Sequence, residues 1–191
     1  MREVRIFLII LSTILFLSSG TSLPLYELAI DPPVGPALNR DIFHIPEPEK
    51  NSEPPRRNVP EQYQALFTAA SAGMGLPPGV LESIAHVESG FRANAQSPIR
   101  CDGYSDLGMF QFNDQYLGWY SHVYNGGILF DPFDPDEAIW VAARHVRFLY
   151  ERYGHWPDVV MAYNAGMDRI DKNEIPDSAW DYLLKIYRED R

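Results

Sequence analysis

Residues 81–91 read LESIAHVESGF, and this segment is the centre of the predicted fold. Glu88 comes four and three residues after Ile84 and Ala85, a spacing that places all three on one face of a helix. A carboxyl group on that apolar face loses water, and this loss raises its pKa toward the range in which it can donate a proton near neutral pH. A single glutamate in such a position is more often an ion-paired structural residue, so the segment alone does not establish chemistry.

The segment is followed by two further motifs. Residues 88–91 read ESGF, residues 108–111 read GMFQ and residues 162–166 read AYNAG. The first two are weak signals by themselves, whereas AYNAG at this distance after both is specific. In this order the motifs resemble those of the soluble lytic transglycosylase family, over roughly residues 76–187. The resemblance implies a mainly α, lysozyme-like fold with a single catalytic domain and a short strand or irregular insert near the active site.

The same resemblance implies an activity. Such an enzyme needs no cofactor and no metal, and it cleaves the MurNAc-β-1,4-GlcNAc bond of peptidoglycan with formation of 1,6-anhydroMurNAc. Glu88 would be the only acid and base, because the acetamido group of the substrate replaces a protein nucleophile. An aligned internal hydroxyl group also reacts in preference to water. The implied substrate-binding residues are Ser89, Gln111, Tyr163, Asn164 and Tyr182.

These residues have different implied roles. Ser89 would hold the helix end and the acetamido side of the site, and Tyr163 would orient the catalytic glutamate or the acetamido group. Tyr182 would close the cleft from the last helix. Each also has a structural interpretation. Tyr163 and Tyr182 can be core aromatics, Gln111 a backbone cap and Asn164 a helix stop.

One segment departs from the family pattern. Residues 99–107 form a longer stretch before Gly108 than the family usually has, and residues 105–113 resemble instead the segment of animal-type lysozymes that carries their second carboxylate. Asp106 stands at that place. We expect it to cap the turn before Gly108 or to contact substrate, in preference to acting as a nucleophile. A nucleophile would require its carboxyl group to lie roughly 5 Å from that of Glu88.

Two alternatives to the transglycosylase remain open at this stage. The first is a muramidase that hydrolyses the same bond with Glu88 and Asp106. The second is a noncatalytic peptidoglycan-binding subunit of an envelope complex. Reducing sugar ends among the products would indicate the first, and binding without cleavage would indicate the second.

Helical periodicity recurs along the rest of the chain. Asn58 and Glu61 form a predicted capping box at the start of the folded domain. Further helices are predicted over 77–89, closed by Gly90, over 159–164 and over 179–187. Another is predicted over 134–154, and Asp134 and Glu137 form a predicted capping box at its start. Residues 108–113 are a candidate short strand, and no internal repeat is visible.

The N-terminal third predicts export. Arg2 and Arg5 precede the apolar runs 6–11 and 14–17, which together are shorter than the roughly 20 apolar residues that span a bilayer. We predict a signal peptide over 1–22, a proline-rich tether over 23–57 and the catalytic domain over 58–191. The tether can alternatively be an irregular arm docked on the domain. The protein would then have no stable membrane span after cleavage, and it would be exported to a periplasm or the extracellular space.

Charge and cysteine content exclude several classes of function. The chain has 26 acidic and 16 basic residues, for a formal charge of −10, which argues against a nucleic-acid partner. Its single cysteine, Cys101, permits no intrachain disulfide and no cysteine-rich zinc site. The five histidines show no metal-ligand spacing. The expected partner is therefore the peptidoglycan glycan strand, together with an envelope complex that the sequence does not identify.

Aromatic residues are dense after the second motif. They could stack on sugar rings, although such spacing is more typical of a core. We expect one or two of them to reach the cleft. The series is Phe110, Phe112, Tyr116, Trp119, Tyr120 and Tyr124.

Overall fold

The computed structural model of the chain describes residues 52–188, which lie within one compact unit. The predictions for residues 1–22 and 23–51 fall outside the described residues. In the described part the helices are α1 (Glu61–Met74), α2 (Val80–Ser89), α3 (Leu117–Tyr124), α4 (Pro135–Tyr153), α5 (Trp156–Ala165), α6 (Met167–Asp171) and α7 (Asp177–Tyr187). A 3-10 turn covers Asp114–Tyr116, and two strands, β1 (Asp106–Leu107) and β2 (Phe112–Asn113), form the one antiparallel pair of this region.

The long helix α4 is the centre of the core. It packs against α1, α2, α3 and α5, while α7 packs against α5 and α2. The Asp134 side chain caps the start of α4 by accepting hydrogen bonds from the N–H groups of Asp136 at 2.8 Å and Glu137 at 3.3 Å. This confirms the predicted N-cap. The reciprocal half of the predicted capping box is wrong, because Glu137 accepts from the N–H of Asp131 instead.

Helix α1 begins differently from its prediction. Its N-cap is Pro60, with no side-chain cap, and Asn58 is exposed. The predicted capping box of Asn58 and Glu61 is therefore wrong. The physical reason is that Asn58 still belongs to an extended arm, and Pro60 has no N–H group to donate to a glutamate.

This arm, residues 52–60, is docked on the domain. The buried Arg57 side chain donates to Ser83 Oγ at 3.2 Å and to the carbonyl groups of Lys185 at 3.2 Å and Ile186 at 2.8 Å. Tyr187 donates to the carbonyl of Ser52 at 2.7 Å. The arm thus ties the C-terminal end of α7 to α2, whose side chains meet in the site described below.

Helix α2 begins at Val80, three residues later than the prediction from Pro77. Gly79 has φ 106°, and a Cβ atom there would lie 2.7 Å from the carbonyl oxygen of Pro54. The close approach of the arm therefore requires a glycine at the start of α2. The helix ends at Gly90 as predicted, with φ 61° and a hydrogen bond from its N–H to the carbonyl of His86 at 2.8 Å.

The strand prediction over 108–113 is confirmed only for Phe112–Asn113, because residues 108–111 form the turn of a hairpin. Gly108 has φ 74° and a Cβ there would meet the Pro132 carbonyl oxygen, so the hairpin packs directly against the loop before α4.

The predicted helices over 159–164 and 179–187 are present and slightly longer, as α5 and α7. Helices α3 and α6 have no counterpart in the sequence predictions.

The fold class is as expected, mainly α with one small hairpin. Within residues 52–188, no helix is long and apolar enough to cross a membrane.

Candidate active site

Glu88 lies in the last turn of α2, partly buried. Burial raises its pKa to about 7, and the negative charge of Asp106 acts in the same direction. The hydroxyl group of Tyr182, on α7, donates to Glu88 Oε1 at 2.7 Å and lowers the pKa, as does the charge of Lys185. Within residues 52–188, Oε2 accepts no hydrogen bond. The carboxyl group is thus close to half protonated at neutral pH and has one oxygen available for proton exchange.

Glu88 faces a cleft of about 390 Å³. Four of the other predicted site residues line it as well: Asp106, Gln111, Tyr163 and Asn164. The remaining lining residues are Arg100, Phe112, Asn113, Tyr116, Tyr120, Ala165 and Gly166. Residues that are far apart in sequence therefore meet at one concave surface around a single raised-pKa carboxyl, which is the arrangement expected of an active site.

Asp106 is held by two side chains. Arg100 forms a salt bridge with its Oδ2 at 2.6 Å, and Asn113, its partner across the hairpin, donates to Oδ1 at 3.1 Å. Its carboxylate therefore does not serve as the cap of the turn before Gly108. The ion pair is half open to solvent, with 43% and 24% of the two side chains exposed, so it adds little to stability. Its consequence is a fixed negative charge at the cleft wall.

Gln111 and Tyr163 stabilise the hairpin turn from the cleft side. Gln111 has φ 50°, and its side-chain amide donates to the carbonyl of Gly108 at 2.8 Å. Tyr163, on α5, donates to the carbonyl of Phe110 at 2.9 Å. Its hydroxyl hydrogen is therefore not engaged with the glutamate. Both side chains nevertheless line the cleft, so their structural and substrate-facing roles are compatible.

The other three predicted site residues lie in different environments. Ser89 is buried, and its Oγ donates to the carbonyl of Met109 at 2.8 Å and accepts from the N–H of Arg92 at 3.0 Å. It therefore ties the end of α2 to the hairpin turn and is not among the cleft-lining residues. Tyr182 is also buried and supports Glu88. Asn164 is exposed on the cleft rim.

Five lining residues outside the AYNAG motif were not named as site residues from the sequence: Arg100, Phe112, Asn113, Tyr116 and Tyr120. Phe112, Tyr116 and Tyr120 belong to the aromatic series, so three of its members line the cleft where one or two were expected. Arg100 belongs to the insert. Burial raises the pKa of Tyr120 to about 12, with a further contribution from the nearby charge of Glu88. Tyr120 thus keeps its proton and presents a hydroxyl group near the glutamate. Nothing in the local sequence separates it from neighbours that form the core.

Among residues 52–188, no group of three or more His, Cys, Asp or Glu side chains is arranged to hold a metal ion. Cys101 is exposed in the insert and is not one of the residues that line the cleft.

The chain is similar to known proteins both in sequence and in fold. A family model described as the transglycosylase SLT domain matches residues 65–180. A search of curated proteins found no match. The chain resembles the 70-kDa soluble lytic transglycosylase of Escherichia coli (TM-score 0.55, 19% identity, 65% of this chain and 22% of that chain). It also resembles an inactive mutant of the lytic transglycosylase Slt from Pseudomonas aeruginosa (TM-score 0.50, 19% identity, 66% and 21%).

A third similar structure is the 70-kDa soluble lytic transglycosylase in complex with bulgecin A (TM-score 0.52, 20% identity, 66% of this chain and 21% of that chain). These identities support a shared fold and no more. The chain spans about a fifth of the length of the enzymes it resembles.

Proposed function

Because this chain belongs to the transglycosylase SLT domain family, we propose that it cleaves the glycan strands of peptidoglycan with Glu88 as the acid and base. The observation that carries this proposal is a partly buried carboxyl group with a pKa of about 7 at the wall of a cleft. At neutral pH such a group exists in both protonation states in comparable amounts, as a residue that first gives and then takes a proton requires.

In the proposed first step, Glu88 donates its proton from Oε2 to the oxygen that links N-acetylmuramic acid to N-acetylglucosamine. The bond from C1 to that oxygen breaks, and the acetamido group of the muramic residue stabilises the positive charge that develops at C1. The hydrogen bond from Tyr182 holds Oε1, so the carboxyl group is presented in one orientation.

In the second step, the C6 hydroxyl group of the same muramic residue attacks C1. Its proton passes to the ionised Glu88, which restores the starting state. The product is a 1,6-anhydroMurNAc end, and no water is consumed. Both steps use a single protein carboxyl group.

The second candidate outcome is hydrolysis of the same bond. It is favoured by the position of Asp106, because this second carboxylate lines the same cleft as Glu88. Both of its oxygens are engaged, however, by Arg100 and Asn113. A carboxylate held in this way is a weaker nucleophile than one that is unengaged, so we favour ring closure. We assign Asp106 to the cleft wall, where its charge helps to keep Glu88 protonated.

The experiment that tests the proposal compares Glu88→Gln with Glu151→Gln on purified sacculi. Glu151 is an exposed glutamate of α4, so the control makes the same chemical change outside the cleft. We expect the first variant to bind sacculi without releasing soluble fragments, and the second to act like the wild type. A wild-type protein that binds and releases nothing would contradict the proposal and indicate a noncatalytic subunit.

Product masses then separate the two chemical outcomes. Anhydro ends are lighter than reducing ends by one water, and transglycosylation predicts anhydro ends. Reducing ends alone would identify a muramidase.

We further propose that the enzyme acts outside the cytoplasm, after removal of residues 1–22, because its substrate lies there. The catalytic domain would comprise residues 58–191 and the tether residues 23–57. Residues 52–57 of that segment lie against the domain through Arg57. An envelope complex that recruits the enzyme is compatible with such an arm.

A further inference from the structure

We propose that Arg57, in the docked arm, is a positioning residue for the proton donor: it fixes the spacing of α2 and α7 so that the Tyr182 hydroxyl group reaches Glu88. This inference rests on the proposed function, because it concerns the same carboxyl group. Arg57 is not among the residues that line the cleft. It therefore acts on the reaction through the two helices and makes no contact with the substrate.

One guanidinium group joins the two helices. Its Nε donates to Ser83 Oγ of α2 at 3.2 Å, and its Nη2 donates to the carbonyl groups of Lys185 at 3.2 Å and Ile186 at 2.8 Å, in the last turn of α7. We call these three contacts the clamp. Arg57 is 8% exposed, so little water competes for them. Because the guanidinium group is planar, the directions of its donors are fixed relative to one another, and the clamp sets a distance between the helices. Its positive charge also lies at the negative end of the α7 dipole.

The clamp and the hydrogen bond to Glu88 are two levels of the same helix pair. Ser83 precedes Glu88 by five residues on α2, and Ile186 follows Tyr182 by four residues on α7. At a rise of about 1.5 Å per residue, the two levels are roughly 6–8 Å apart along the helix axes. A helix segment this short moves almost as a rigid unit, because its backbone hydrogen bonds join residues four apart. A change of helix spacing at the clamp therefore reaches the bond from Tyr182 to Glu88, whose length of 2.7 Å allows little extension.

The α2 side of the clamp is also held by the arm. Ser83 Oγ accepts from Arg57 and itself donates to the carbonyl of Pro55 at 2.7 Å. Arg57 and Ile186 lie on either side of residues 65–180, the part of the chain that matches the family model. The clamp thus joins the two segments that flank the matched domain to the helix that carries the proton donor.

Displacement of α7 has a defined effect on Glu88. Two groups of α7 lower the pKa of Glu88, the hydrogen bond from Tyr182 and the positive charge of Lys185. Both move away from the carboxyl group if α7 does. The other groups that interact electrostatically with Glu88 belong to different elements, namely Asp106 on β1, Tyr120 on α3 and Tyr163 on α5. Loss of the clamp therefore raises the pKa of Glu88, in the same direction as loss of the Tyr182 hydroxyl group.

The test has two readouts on the full chain: kcat and KM for release of soluble fragments across pH, and the midpoint of a carbon-13 NMR titration of the Glu88 carboxyl group. In Arg57→Ala we expect the midpoint and the alkaline limb of the profile to rise by about 0.5 to 1 pH unit, up to the change expected when the Tyr182 bond is lost completely. At the optimum kcat should fall by about tenfold, because the donor is misplaced. KM should change by less than about twofold, because Arg57 does not line the cleft.

Tyr187→Phe is the matched control, because it removes a hydrogen bond between the same arm and α7, to the carbonyl of Ser52, and none to α2. Ile170→Ala controls for a general loss of stability, since it opens a cavity beside α6, which packs on α5. Both controls should leave the midpoint in place. If Arg57→Ala does not fold, Ser83→Ala carries the test. It removes the α2 side of the clamp and keeps the contacts to α7, so it should give a smaller rise of the midpoint.

A double variant separates positioning from an independent effect. In the Tyr182→Phe background, Arg57→Ala should cause little further rise of the midpoint, because the bond that it positions is already absent. A full additive rise would overturn the proposal. A midpoint that is unchanged or lowered in both Arg57→Ala and Ser83→Ala would also overturn it and leave Arg57 as a contact that only stabilises the fold.

Failure of this inference is distinguishable from failure of the proposed function. The NMR midpoint requires no turnover, so it can confirm the positioning role even if the wild-type protein releases no fragments from sacculi. Conversely, cleavage with anhydro products and no effect of Arg57→Ala on the midpoint would leave the proposed function intact.

Discussion

Replacement of Tyr182 by phenylalanine removes the one hydrogen bond that the Glu88 carboxyl group accepts from residues 52–188. A hydrogen bond to a charged group contributes about 1.5–3 kcal/mol, and one pKa unit corresponds to about 1.4 kcal/mol. The protonated carboxyl group would keep part of that bond, so the energy difference between the two protonation states lies at the lower end of this range, about 1.5 kcal/mol. We therefore expect the pKa of Glu88 to rise by about one unit from its value of about 7.

The assay is the pH dependence of kcat/KM for release of soluble fragments from peptidoglycan. Cleavage begins from the protonated carboxyl group, so activity is lost on the alkaline side as pH passes the pKa of Glu88. In Tyr182→Phe this alkaline limb should move to higher pH by about one unit. At pH 8 the protonated fraction would rise from about 10% to about 50%.

Tyr187→Phe is the matched control, because Tyr187 lies on the same helix and donates to the carbonyl of Ser52 instead. It should leave the limb in place. A limb that stays in place in Tyr182→Phe, or moves to lower pH, would refute the argument that this bond sets the pKa of Glu88. The height of the profile is not the test, since lost positioning can lower the rate at every pH.

Three further predictions use the same geometry. Asp106→Asn removes a negative charge that raises the pKa of Glu88, so the alkaline limb should move to lower pH, opposite to Tyr182→Phe; a shift upward would contradict this. Glu88→Gln should raise the melting temperature at pH 8 and leave it nearly unchanged at pH 4. The pKa of Glu88 is about 7 in the folded state and 4.5 in the unfolded state. The stability that the wild type gains from protonated Glu88 is therefore complete below about pH 4.5 and is lost as pH rises through about 7, a loss of up to about 3 kcal/mol. Equal melting temperatures of the two proteins at pH 8 would argue against a buried proton. Arg57→Ala should lower the free energy of unfolding in urea by about 2–4 kcal/mol, because it takes this donor from the buried carbonyl of Ile186, from the partly buried carbonyl of Lys185 and from Ser83 Oγ. The same change at the exposed neighbour, Arg56→Ala, should alter it by less than about 0.5 kcal/mol.

The helix that carries Glu88 was predictable because its information is local. Apolar residues three and four positions apart define the buried face, and Gly90 marks the end. The same holds for α4, whose Asp134 cap is confirmed in the structure. Where both the pattern and the stop signal lie within one segment, sequence reasoning located the element to within a few residues.

The errors occur where distant contacts decide the structure. The start of α2 depends on Pro54, which lies against Gly79 in space and 25 positions before it in the chain. The contact between Tyr182 and Glu88 joins residues 94 positions apart. The family resemblance implied that Tyr182 closes the cleft from the last helix, but it did not identify the hydrogen bond to Glu88, because periodicity says nothing about which residue of another helix a hydroxyl group meets.

Helix α3 was missed for a different reason. Its sequence LGWYSHVY has aromatic residues on several sides, so no single apolar face is apparent. In the structure Tyr124 is buried and contacts His145 and Phe148 of α4, whereas Tyr120 lines the cleft. This division follows from the packing of α3 against α4.

A carbon-13 NMR titration of the Glu88 side-chain carboxyl group, assigned by difference from Glu88→Gln, measures the pKa on which the proposed chemistry depends. We predict a midpoint near pH 7, as expected for a carboxyl group buried at the cleft wall. A midpoint near 4.5, the ordinary value for glutamate, would show a solvated carboxylate and contradict its role as the proton donor.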